Sequence, residues 1–150
     1  SFNLSKYTKS WIATDFSKQM IFEARKHGEY ENLVFEIADA TSLIYTDEKF
    51  DCVVIANALH IMPEPDKAMK EIYRVLKPNG TLFAPTFLWK EEKQSKFKKR
   101  LMSIVGFKMY KEWDKKQFEE FIHEYGFSVA EMKLVNGGFA PVGVMIAYKK

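Results

Sequence analysis

The chain has 150 residues, 47% of them hydrophobic and 29% charged, with a formal net charge of +3. That size and composition describe one globular domain with a real core. They exclude a disulfide framework, because Cys52 is the single cysteine, and they fall short of the strongly basic balance that nucleic-acid binding requires.

No apolar stretch reaches the roughly 20 residues needed to span a membrane, and no signal-peptide pattern opens the chain. One cysteine suits a reducing compartment, so a cytoplasmic protein is expected. The cluster Lys96, Lys98, Lys99 and Arg100 reads as a solvated helix face. The sequence begins at Ser1, and Phe2 to Tyr7 reads like the tail of a helix, so the N-terminus looks cut.

Trp11-Ile12-Ala13-Thr14 is a short apolar strand ending at Asp15. Ser17 can cap the next helix, on which Met20, Ile21 and Ala24 share a face and which Gly28 stops. Leu33 to Ala38 is a second strand, also ending in an aspartate, Asp39. Phe50 to Ala56 is a third. Its near-continuous apolar run, which places Cys52 in the interior, is that of a strand covered on both faces.

A helix over 66–76 follows, with Ala68, Met69, Ile72, Val75 and Leu76 at helical spacing. Pro65 and Asp66 favour its start, and Lys77-Pro78-Asn79-Gly80 stops it ahead of a strand from Thr81 to Phe87. Residues 92–105 form a basic amphipathic helix. Asp114-Lys115-Lys116-Gln117 has the form of a capping box, opening a helix with Phe118, Phe121, Ile122 and Tyr125 inward. Strands at Ser128–Val135 and Val142–Tyr148, joined through Gly137-Gly138 and Pro141, form an antiparallel pair.

Alternating strands and helices indicate an open α/β sheet, mostly parallel, with helices on both faces and a closing antiparallel pair. Ligands in such sheets bind outside the carboxyl ends of the strands, which directs attention to Asp15, Asp39 and Asn57. Asp15 can accept hydrogen bonds from both vicinal hydroxyls of a ribose, or help cap the helix after it. Phe16 and Met20 offer apolar surface to a base. Asp39 can take an exocyclic amine while Ala40 leaves room for the ring, though a turn-forming aspartate explains it equally well. Asn57 and Ala58 suit a ligand lying close to the backbone, and His60 is either a proton acceptor toward substrate or a packed loop residue. His27 and His123 face solvent, and these scattered side chains make no metal site.

Together Ala13-Thr14-Asp15-Phe16-Ser17 with Met20, Ala38-Asp39-Ala40, Phe50 to Val54 continuing to Leu59-His60, and Glu71-Ile72-Tyr73-Arg74-Val75-Leu76-Lys77-Pro78-Asn79-Gly80 resemble a class I S-adenosylmethionine-dependent methyltransferase of the small-molecule group. The resemblance implies a Rossmann-like fold and S-adenosylmethionine as cofactor. Asp15 would take the ribose hydroxyls, and Phe16 and Met20 would flank the adenine. Asp39 would hold its amine beside Ala40, with Asn57 and Ala58 near the methionine portion. It implies a small-molecule acceptor and no dedicated acid–base residue, with residues 88–126 as a substrate lid.

The family begins with a central strand and a glycine-rich loop, and here the first glycine is Gly28. The first, central strand is therefore missing, which leaves two sheet edges open to self-association. A truncated record of a longer enzyme is the favoured expectation. The alternatives are a non-catalytic α/β module that binds through those edges and a nucleotide- or NAD-binding Rossmann domain.

Overall fold

The computed structural model describes residues 1–28, 30–88, 110–136 and 141–150. The helix expected over 92–105, most of the expected lid and the Gly137-Gly138 connection lie outside the described residues. The chain divides into two compact units, Ser1–Ile44 and Tyr45–Lys150.

In the first unit, β1 (Trp11–Asp15) and β2 (Leu33–Ile37) run parallel, in register from Trp11 opposite Leu33 to Asp15 opposite Ile37. The helix between them, α2 (Lys18–Arg25), is capped as its sequence indicates: the Ser17 hydroxyl accepts the Met20 N–H at 3.3 Å. Gly28, past its end, sits at φ +116°, a conformation that favours glycine. A short α1 (Phe2–Ser5) places Phe2 against the rings of His27, Tyr30 and Phe35. Asn32 ties the following turn down, its side-chain amide donating to the carbonyls of Ser5 and Thr8 at 2.7 and 2.8 Å.

The core of this unit is Ile21, Leu33 and Phe35. Met20 departs from the helix face expected of it, being 57% exposed where Ile21 is 4%. Two strands offer a narrow floor, wide enough for the Ile21–Ala24 stripe and not for a neighbour about 100° around the helix.

In the second unit, β3 (Phe50–Val54), α2's larger counterpart α3 (Pro65–Val75) and β4 (Leu76–Phe83) form a parallel βαβ crossover. Pro65 occupies the first helical turn, where a missing N–H costs nothing, and Asp66 complements the helix dipole there. Ala68, Met69, Ile72 and Val75 supply the buried face. At its other end Arg74 clasps Glu71 through two hydrogen bonds of 2.9 and 2.7 Å and also donates to the Tyr45 carbonyl.

The chain passes from α3 into β4 without a loop, since Leu76 is already extended and pairs with Phe50. The register then jumps, so that Cys52 pairs with Thr81. Lys77–Gly80, expected to precede the strand, is thus a bulge inside it. Asn79 adopts φ +60°, and a Cβ on Gly80 would lie 2.7 Å from the Lys77 carbonyl oxygen.

β4 is followed by a separate short strand, β5 (Thr86–Phe87), because Pro85 has no N–H to continue the ladder. The sheet order is β3-β4-β7-β5, with β6 (Phe127–Asn136) also on β7 (Pro141–Lys149), and every pairing of β7 is antiparallel. The helix α4 (Lys115–Glu124) opens on the expected capping box: Gln117 N–H donates to Asp114 Oδ1 at 2.8 Å, and Asp114 N–H to Gln117 Oε1 at 3.3 Å. Phe118, Phe121 and Ile122 join a core that extends from Ile55 and Leu59 through Met69, Leu82 and Phe127 to Ala147.

Cys52 corrects another expectation, being exposed rather than interior. Among the described residues β3 is paired along one edge only, with β4, so its apolar run is not enclosed on all sides. Likewise, among the described residues, β1 pairs only with β2. Among the described residues no helix is long and apolar enough to cross a membrane.

Candidate functional site

In the first unit the carboxyl ends of β1 and β2 are held side by side, since the Ala38 N–H donates to the Asp15 carbonyl at 3.2 Å. This brings the two strand-end aspartates onto one edge of the unit. Asp15 is exposed, and its Oδ1 accepts the Ser17 N–H at 2.8 Å. Asp39 accepts both the N–H and the hydroxyl of Thr41 through Oδ1, at 2.8 and 2.7 Å. Each carboxylate therefore closes a local turn, the alternative given for Asp39, while the helix cap falls to Ser17 rather than Asp15; each remains an acceptor group at the lip of the sheet. Phe16 is 77% exposed beside Asp15, and exposed Met20 lies one helical turn on. Ala40 presents only a methyl group next to Asp39. An aromatic face, a thioether and two carboxylates fit a nucleoside, whose sugar and base offer hydroxyl and amine donors and a flat apolar ring.

In the second unit the β3 ladder runs past the strand end. Ile55 N–H donates to Phe83 O at 3.0 Å, and Asn57 N–H to Pro85 O at 2.7 Å. Asn57 takes φ +53°, in the left-handed region that asparagine tolerates better than most residues. The chain then turns tightly, with the Ala58 carbonyl accepting from Ile61 and Met62.

His60 follows, 1% exposed, with Nδ1 2.9 Å from the Thr86 hydroxyl and its ring edge-on to Phe87. Its carbonyl accepts the N–H groups of Tyr110 and Lys111 at 3.0 and 3.2 Å. Burial lowers the imidazole pKa to about 4, so the ring is neutral at pH 7. His27 and His123 are both exposed.

Thr86 and the 110–111 segment escape the sequence reading. A signal for Thr86 exists, as a lone hydroxyl within the apolar run Leu82 to Leu88 needs a partner when buried. For Tyr110 and Lys111 there is none, since it is their backbone N–H groups that meet His60.

The second unit also has an open cleft of about 330 Å³ lined by Glu112, Trp113, Gln117, Glu120, Phe121 and Glu124, which contains none of the candidate ligand-binding residues. Among the described residues no three His, Cys, Asp or Glu side chains come together as a metal site.

A methyltransferase domain family matches residues 1–84. The demethylmenaquinone methyltransferase of Lactobacillus johnsonii is 45% identical over 73 residues, covering 46% of this chain and 30% of that protein. A ubiquinone/menaquinone biosynthesis C-methyltransferase, UbiE, of Rickettsia felis is 29% identical over 161 aligned positions, covering 91% of this chain and 63% of its own length. The chain thus spans between about a third and two thirds of the curated relatives it matches.

Among solved structures, a complex between the Haloferax volcanii Trm112 methyltransferase activator and a methyltransferase matches with a TM-score of 0.84 at 19% identity, over 98% of this chain and 76% of that one. An SAM-dependent methyltransferase from Methanosarcina mazei matches with a TM-score of 0.79 at 18% identity, over 99% and 85%. Both likenesses are of fold, and they agree with the Rossmann-like arrangement expected from the sequence.

Proposed function

This chain belongs to the methyltransferase domain family, whose model spans residues 1–84, and from that premise we propose that it serves in S-adenosylmethionine-dependent methyl transfer to a small-molecule acceptor. The observation that carries the proposal is the pair of strand-end aspartates, Asp15 and Asp39, set on one edge of the first unit beside exposed Phe16 and Met20. In this reading Asp15 receives the ribose hydroxyls. Phe16 and Met20 flank the adenine, and Asp39 receives its amine with Ala40 alongside. For the second unit, taken by itself, the family resemblance assigns Asn57 and Ala58 to the methionine portion.

S-adenosylmethionine supplies, when bound, a methyl group already activated by the sulfonium charge. What remains for the chain's own residues is binding and alignment, and this accounts for the lack of an acid–base pair in the sequence. Relatives named demethylmenaquinone methyltransferase and ubiquinone/menaquinone biosynthesis C-methyltransferase support a quinone-type ring, methylated at carbon, as the acceptor. The enzyme works in the cytoplasm, with residues 88–126 contributing to the acceptor side.

A second reading has its own support. β1 and β3 each have one edge unpaired among the described residues, which suits a module that binds a partner, or a second copy, through strand pairing.

Calorimetric titration of S-adenosylhomocysteine into the longest natural protein containing this sequence, and into this chain, separates the two. Saturable binding by the longer protein supports the enzyme. Absence of binding by both, with concentration-dependent association in sedimentation, overturns it in favour of the binding module.

A further inference from the structure

We infer that His60 is a positioning residue that acts through Thr86, locking the loop of Asn57 and Ala58 to β5; the inference rests on the methyltransferase reading above.

The backbone of that loop is under local strain at Asn57, whose positive φ persists only where its surroundings over-determine it. Two bonds to consecutive residues do so. Asn57 N–H reaches the Pro85 carbonyl at 2.7 Å, and three residues on, His60 Nδ1 meets the Thr86 hydroxyl at 2.9 Å. Both partners of the second bond are 1% exposed, so neither can exchange it for water. A buried bond of that kind is expensive to break on one side only.

The ring is further confined by Phe87, with centroids 5.5 Å apart and planes at 87°. The His60 carbonyl holds Tyr110 and Lys111, so the same residue joins the loop to the segment that leads into α4. Lys111 in turn helps keep the Asp66 carboxyl below its ordinary range, after the larger effect of the Tyr125 hydroxyl. His60 therefore sits where three pieces of backbone converge, and its neutral state at pH 7 suits a fixed hydrogen bond rather than a travelling proton.

Side-chain geometry gives the test. Asparagine places a hydrogen-bonding atom near the Nδ1 position of histidine, and glutamine places one near Nε2. In the longest natural protein containing this sequence, His60→Ala and Thr86→Val are each expected to weaken S-adenosylhomocysteine binding about tenfold, one lost hydrogen bond's worth. The double variant should be no worse than either single one, because both remove the same bond. His60→Asn should restore affinity to within about threefold, and His60→Gln should not.

Amide exchange at Asn57, followed without ligand, should accelerate in His60→Ala and Thr86→Val and return toward the parent rate in His60→Asn. Thr86→Val is nearly isosteric, so it keeps the test open should His60→Ala fail to fold. Additive losses, or His60→Asn as weak as His60→Ala, overturn the inference. If the parent protein does not bind S-adenosylhomocysteine, the methyltransferase reading fails, and amide exchange alone then decides whether the latch exists.

Discussion

Among the described residues, the unit of residues 1–44 buries Ile21, Leu33 and Phe35 and leaves Phe16, Met20, Phe22, Val34 and Ile37 at least half exposed, whereas the unit of residues 45–150 seals fifteen apolar residues into one cluster. A segment of some 40 residues with so small a core lies at the size where independent folding fails. Among the described residues the larger unit has a five-stranded sheet, in which β7 joins β4, β5 and β6, and the helices α3 and α4. The difference teaches that the proposed binding chemistry and the larger core stand on different ground. The carboxylates and apolar surface suited to a nucleoside stand on the scaffold that buries least, and the loop of Asn57 stands on the one that buries most.

The sharpest way to break that contrast is a cavity in the larger core. Phe118→Ala, at a fully buried position, should cost about 3–5 kcal/mol in urea denaturation. In the parent protein the amides of Ala13 and Phe35 should exchange faster than those of Leu82 and Ala147. Equal protection would mean that the two units open together.

Next in size is a pH effect confined to the larger unit. His60 has a folded pKa of about 4 against an ordinary value of 6.5, so between those values the unfolded chain holds the extra proton. Its contribution is full above pH 6.5 and falls as the pH drops toward 4, by up to roughly 3 kcal/mol, converting the shift at 1.36 kcal/mol per pH unit. Thermal or urea unfolding across this range should show a slope shallower by one proton in His60→Asn.

In the smaller unit, Asp15→Ala should weaken S-adenosylhomocysteine binding by about 1–3 kcal/mol in the longest natural protein containing this sequence, the scale of hydrogen bonds to a charged acceptor. An unchanged affinity would remove Asp15 from the site. Smallest of all, Asp114→Ala should cost about 1 kcal/mol of stability by removing the α4 cap, with no effect on ligand.

Much of this architecture is legible in the sequence where a local rule suffices. The Asp114–Gln117 capping box, the Pro65 start of α3, the Ser17 cap and the antiparallel β6–β7 pair depend on neighbours in the chain. The readings that changed depend on neighbours in space. Met20 has helical spacing for burial, but the floor beneath α2 is too narrow. Cys52 lies in an apolar run without a strand along its far edge among the described residues. The β4 start at Leu76 comes from a register jump that no propensity signals. The candidate residues Asp15, Asp39 and Asn57 were findable because strand ends are findable. The packing of His60 was one of its two sequence readings, but its partners were not legible, because nothing local states that Thr86 and Phe87 return to enclose it.

β7 pairs with β4, β5 and β6 at once, and Tyr148 lies opposite Thr81, 148 − 81 = 67 positions away. That gives the larger unit a timetable. During synthesis, at roughly 5–20 residues per second, β4 waits on the order of ten seconds after its own emergence before its partner exists. Through that interval Leu82 and Phe83 have no mate on that side. Folding is thus governed by a contact distant in sequence, the kind that slows small domains most. A lesion in Met145 or Ala147 would strike three strands together, and would be felt in the nascent chain before it was felt in the finished one.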